Sequence, residues 1–269
     1  TDQIVVLQTS QILAFTSSQL PAIATTTTAV LGTDHIIALS TLQFSFLSTA
    51  QISALGTSQT VAIETRDIAA LATSQLRAWN TAQITSLSTS QQQALSSAQL
   101  NSLSSEQASS LGNGNLSSLG TQQIPNLSPK SVTTDQITTL STAQVAAFST
   151  SQVASLSTAQ TFVLSSDQVV ALSTLQIPAL GSGQLSSLSS DILAALETRD
   201  VAALIPTQIL ALKSGQVSAL TSAQFRALST VQLTSLSTRQ IPAIETEDLQ
   251  SLRSSQLVSL TSNQIRSLQ

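Results

Sequence analysis

The feature that most constrains this chain is an eight-residue repeat that runs through nearly all of it. Residues 140–172 read as Leu followed by STAQVAAF, STSQVASL, STAQTFVL and SSDQVVAL, an octad numbered here S1-T2-x3-Q4-I5-x6-A7-L8. In steps of eight, Leu7 to Leu127 closes 16 octads, and Leu140 to Leu268 closes 17 more. The two arrays, residues 1–127 and 133–269, are out of phase by five because Ser128-Pro129-Lys130-Ser131-Val132 stands between them. Position eight is apolar in all 33 octads and position five in 29, failing only at Thr28, Thr60, Gln92 and Thr161. Position two is Ser or Thr in 31, with Asn113 and Pro206 as exceptions, and position four is Gln in 26. A unit this short cannot bury an apolar face by itself, so its neighbours must cover it.

An apolar pair three apart, followed by a gap of five, does not alternate as a half-buried strand does. A continuous helix fails as well, because eight residues at about 100° each rotate the apolar face by roughly 80° per repeat. One interruption per octad resolves this, and Ser or Thr at position two is the expected N-cap. All 13 acidic residues fall at positions one, three or four, where a helix N-terminus attracts negative charge. Pro21, Pro125, Pro178 and Pro242 fall at position six, still near the first turn. Helices of this length are unstable alone in water, so stacking must hold them.

The expected fold is therefore an all-α solenoid with one short helix per octad. Residues 128–132 form a bulged insertion loop in an otherwise continuous coil. The 62 apolar residues at positions five and eight oppose disorder, and eight Gly with six Pro are too few for collagen or a Gly-rich roll. Thr28, Thr60 and Gln92 recur at 32 residues, while Phe15, Phe46, Trp79 and Phe148 lie in octads 2, 6, 10 and 18. This spacing suggests four octads per turn, hence about eight turns and a rod of about 80 Å at helix spacings of roughly 8–10 Å. Gln at position four has two readings: an exposed early-helix residue, or a rung of an amide ladder along the axis.

Composition bears mainly on function. Charged residues make up 8% of the chain, so Ser, Thr and Gln must cover the surface. Nine scattered basic residues and a net charge of −4 give no stripe for nucleic acid. No apolar run approaches a membrane span, and there is no Cys. Thr1 opens and Gln269 closes in mid-octad without a polar capping repeat, from which continuation or end-to-end stacking is expected.

His35 beside Asp34 allows a Ser/His/Asp reading on paper, but one His among many Ser favours coincidence. No HExxH, paired Cys or Gly-rich phosphate loop occurs. The sequence therefore predicts no catalytic, cofactor-binding or metal residues, and no enzyme. Glu64-Thr65-Arg66-Asp67, Glu197-Thr198-Arg199-Asp200 and Glu245-Thr246-Glu247-Asp248 each pair Glu at position one with Asp at position four. A local cap or surface ion pair is the plain reading; a calcium site or an inter-rod contact is the alternative.

At Leu140-Ser141-Thr142-Ala143-Gln144-Val145-Ala146-Ala147-Phe148 the chain resembles the LSTxQIxAL octapeptide arrays of very large bacterial, adhesin-like, secreted or surface proteins. The resemblance covers essentially the whole chain. It implies an exported structural role at the cell surface or outside the cell, with no catalytic residues to carry over. The expectation is a rod or extracellular filament whose partners are copies of itself. The alternative is an adhesin whose Ser/Thr rows bind glycan, ice or mineral.

Overall fold

A computed structural model describes residues 2–114 and 116–268. Thr1 and Gln269, where the octad pattern opens and closes, lie outside the described residues. The described residues contain 28 short α-helices, seven 3-10 helices and no strand, confirming an all-α solenoid of short helices. The chain divides into two compact units, Thr1–Thr139 and Leu140–Gln269.

The octad containing Thr49–Ala54 shows how a side is built. Ser48, at position one, is extended (φ −65°, ψ 157°) and its hydroxyl accepts from the Gln51 amide at 3.2 Å. The helix runs from position two to position seven, and Leu55 at position eight is extended again (φ −64°, ψ 135°). Two consecutive extended residues, eight and then one, make the corner. No positive φ is needed there, which is why so few glycines suffice.

The N-cap is thus position one, where position two had been expected. Position two is the first helical residue, and Pro206 fits there because an N1 amide has no intrahelical partner. Acidic residues at positions one, three and four still lie at the cap and in the first turn.

Away from the insertion, each side packs on the side three octads away, 24 residues along the chain. In the first unit Thr33–Ala38 packs on Thr57–Ala62, which packs on Thr81–Ser86, which packs on Ser105–Ser110. In the second, Thr158–Phe162, Ser182–Ser187, Pro206–Ala211 and Thr230–Thr234 stack in the same way. Each turn therefore has three sides, which corrects the four suggested by the 32-residue recurrence. That recurrence marks a diagonal of one turn plus one side: Gln59 and Gln91 donate to the carbonyls of Thr28 and Thr60 at 3.0 and 2.9 Å.

Positions five and eight fill the interior, as with Ile52, Leu55, Ile84 and Leu87. Burial of each such side chain contributes roughly 1.5–3 kcal/mol before ordering costs. The polar exceptions at position five are also buried and hydrogen-bonded. Thr28, Thr60 and Thr161 donate to the position-one carbonyls of their own helices at 3.2, 3.0 and 3.0 Å. Gln92 donates to Leu87 O at 2.9 Å and accepts from Ser118 Oγ at 2.6 Å.

Proline at position six changes the side without breaking the coil. Its missing N–H cannot reach the carbonyl of position two, and the side tightens to a 3-10 turn at Leu20–Ala22, Ile124–Asn126, Ile177–Ala179 and Ile241–Ala243. The preceding apolar residue stays buried in all four. Residues 128–132 likewise form a short side where a bulged loop had been expected. Pro129–Ser131 is a 3-10 turn, Val132 is buried like a position-eight residue, and Ser105–Ser110 packs against the turn.

Candidate functional site: the glutamine seam

The most elaborate polar arrangement in the protein is a seam of position-four glutamines between successive turns. Gln83 shows its geometry. Its Oε1 accepts the backbone N–H of Asn80, the N-cap of its own helix, at 2.8 Å. Its Nε2 donates to Ile52 O at 3.2 Å and Leu55 O at 2.8 Å in the turn below. One amide thus completes a capping box for its own helix and caps the C-terminus of another.

The same pattern recurs at Gln51, Gln99, Gln208, Gln240 and Gln256. These side chains are buried, so they do not clothe the surface. They bond to backbone rather than to one another, and this corrects both readings of position four. Neither Glu nor Lys would serve, since the carboxylate lacks the donor and the ammonium lacks the acceptor. Where position one is Ala72, Ile205 or Lys213, the glutamine oxygen still takes the cap N–H.

The exceptions at position four are informative. His35 reproduces the amide with its two ring nitrogens: Nδ1 accepts from Gly32 N at 3.2 Å and Nε2 lies 2.9 Å from Leu7 O. The neutral Nε2–H tautomer satisfies both contacts. Both nitrogens are committed to backbone, so Asp34 and His35 form no acid–base pair.

Asp67, Asp200 and Asp248 occupy the same place and are buried. Asp67 Oδ1 accepts from Thr41 Oγ1 at 2.6 Å, and Asp248 Oδ1 from Ser222 Oγ at 2.7 Å, each hydroxyl coming from position two of the turn below. Glu64 and Glu197 point to the neighbouring arginines, at 2.5 Å from Arg66 and 2.6 Å from Arg199. The plain reading of a local ion pair therefore describes both motifs. Burial pushes the Asp200 carboxyl above its ordinary value, against the pull of the Arg199 guanidinium. Among the described residues, no three His, Cys, Asp or Glu side chains converge as a metal site would require. Among the same residues, no helix is long and apolar enough to cross a membrane.

Two surface features accompany the seam. Position-two hydroxyls stand at the first helical residue, and in the column Thr49, Thr73 and Ser97 they are exposed. Position-six side chains form columns at the same 24-residue spacing, and Leu13, Ile37 and Val61 make one exposed apolar column in the first unit. The sequence reading did not single out that column, because its signal appears only at the 24-residue period.

No curated protein matches the chain. The model of the ALTTAQ repeat matches residues 60–97, 143–174, 193–230 and 241–269, together just over half of the sequence. The six letters of that name correspond to positions seven, eight, one, two, three and four, and they appear in this chain as Ala219-Leu220-Thr221-Ser222-Ala223-Gln224. They thus span the corner, the cap and the seam residue, and the chain belongs to the ALTTAQ repeat family.

Proposed function

We propose that this protein is a structural, non-catalytic array that acts as a rod or spacer at or outside the cell surface and extends by adding turns end to end. The observation that carries the reading is the polarity of the seam. Each turn presents corner carbonyls on one side and glutamine amides on the other, so a further turn meets the same contacts whatever the length. The low charge and hydroxyl-rich surface also suit an exported protein.

Electron cryo-microscopy of native material tests this reading. The expected result is fibres with one three-sided layer every ~10 Å, the spacing of packed helices. Discrete particles with no end-to-end contact would count against it. Protease treatment of intact cells tests the location: an array at the surface is cleaved, and one inside is protected.

One observation favours a second reading, an adhesin that binds surface glycans. Capping uses the hydroxyls of position one and leaves those of position two free in exposed columns such as Thr49, Thr73 and Ser97. Glycan-array binding by discrete particles, lost when one such column is changed to alanine, would move the assignment there.

A further inference from the structure

Asp200 differs from every other ionisable group in the seam. Its side chain is 1% exposed, and neither carboxylate oxygen is bonded to a neighbouring turn; only the Glu197 backbone N–H, the cap amide of its own helix, acts on it, beyond ordinary hydrogen-bond geometry. Asp67 and Asp248 recover one partner from a position-two hydroxyl 26 residues earlier. The residue so placed for Asp200 is Thr174, and it lies on the side that Pro178 tightens into the 3-10 turn Ile177–Ala179. No bond forms there. A glutamine at position 200 would reach the carbonyl 28 residues back, that of Leu172, as Gln208 reaches Leu180 at 2.7 Å. An ionised carboxylate offers only acceptors to an acceptor, so that joint is unfilled.

The surrounding charges do not relieve this. On its own helix, Arg199 Nε is 4.0 Å from Asp200 Oδ1 but is held by Glu197 at 2.6 Å. The packed helix Ser222–Ala227 carries Arg226, and the packed 3-10 turn Ile177–Ala179 carries no ionisable group. Asp167, in the octad that ends at Leu172, is exposed. Both Asp200 oxygens are sealed from solvent, so a hydrated metal ion has no room beside them, whereas a proton can be accommodated.

We propose that Asp200 is a proton-controlled joint of the seam. Protonated, its carboxyl gains an O–H donor on the side of the seam where a glutamine donates to the corner carbonyls; ionised, it has only acceptors to offer and leaves the joint open. The change is the addition of one solvent proton to the carboxylate, with no other bond made or broken. A folded-state pKa raised by burial gives stability that is fully present below the unfolded value and is lost as pH rises through the raised value. Turn-to-turn cohesion in residues 140–269 therefore strengthens on acidification through that window.

The test uses the intact chain. Carbon-detected NMR, with Asp200 assigned by comparison with Asp200→Asn, should give a midpoint above the ordinary aspartate value of about 3.9. Thermal unfolding should show Asp200→Gln more stable than wild type by about 2–4 °C at about pH 7.5, with the gap closing towards about pH 4. A midpoint at or below the ordinary value, or a gap that does not change with pH, overturns the proposal. If Asp200→Gln does not fold, the NMR midpoint of the wild-type chain decides.

Discussion

Residues 33–110 and residues 111–132 belong to the same unit and, but for the insertion 128–132, carry the same octad, yet they build it with different backbones. The first stretch places ten α-helical sides in succession, from Thr33–Ala38 to Ser105–Ser110. The second places four 3-10 turns on three sides: Leu111–Gly114 and Leu116–Ser118 on the octad that closes at Leu119, Ile124–Asn126 on the next, and Pro129–Ser131 in the insertion. Local causes are visible in three of them. Gly112 adopts φ 67°, Pro125 removes the position-six N–H, and residues 128–132 are too few for an α-turn between two corners.

The interior nonetheless continues through both stretches. Leu116, Leu119, Ile124, Leu127 and Val132 are buried, and Gln123 still accepts from Gly120 N at 2.9 Å and donates to Gln92 O and Leu95 O at 3.0 and 2.9 Å. A side belongs to the coil because of where it puts positions four, five and eight. The type of helix between them is secondary.

That comparison can be broken in graded ways. The largest effect is expected from Ile84→Ala and Ile124→Ala, each removing a fully buried side chain at a cost of about 2–5 kcal/mol in chemical denaturation. A much smaller loss at Ile124 would show that the 3-10 stretch is loosely packed. Next are Gln99→Ala and Gln123→Ala, each of which leaves a cap N–H and corner carbonyls without partners. At roughly 1–3 kcal/mol per abandoned group, each should cost about 2–4 kcal/mol, and glutamate should not rescue either. Only the α stretch should respond to a capping change. Ser96→Ala loses the bond to Gln99 N and about 1 kcal/mol, whereas Ser128 caps nothing and Ser128→Ala should be close to neutral. The smallest effect is expected from Pro125→Ala, where a regained helical N–H bond is offset by greater freedom of the unfolded chain. Stability should change by less than about 1 kcal/mol while far-ultraviolet circular dichroism shows more helix.

Much of this architecture was legible in the octad. The apolar residues at positions five and eight identify the core, and the failure of both regular templates forces one helix per repeat. The cap was misplaced by one because position two is Ser or Thr almost everywhere, while position one varies among Ser, Gly, Glu, Lys and Ile. The variation is tolerated because the glutamine oxygen satisfies the cap N–H whatever the residue there. The turn was overcounted because Thr28, Thr60 and Gln92 follow the diagonal that the glutamine bonds join. The open joint at Asp200 depends on Pro178, 22 residues away, and no local pattern could report it.

The central claim is a turn of three octads, and engineered cysteine pairs test it directly because the chain has no native cysteine. Ile37 and Val61 are exposed, 24 residues apart, on helices that pack together; Ile37 and Ala69 are exposed and 32 apart. Equivalent residues one turn apart stand one helix spacing, roughly 8–10 Å, from each other, which is beyond a disulfide but within the span of a short bismaleimide. A short bismaleimide should therefore bridge the Ile37→Cys, Val61→Cys pair and leave the Ile37→Cys, Ala69→Cys pair open, as read by mass spectrometry. Closure of the 32-residue pair with the 24-residue pair left open would contradict the three-sided turn.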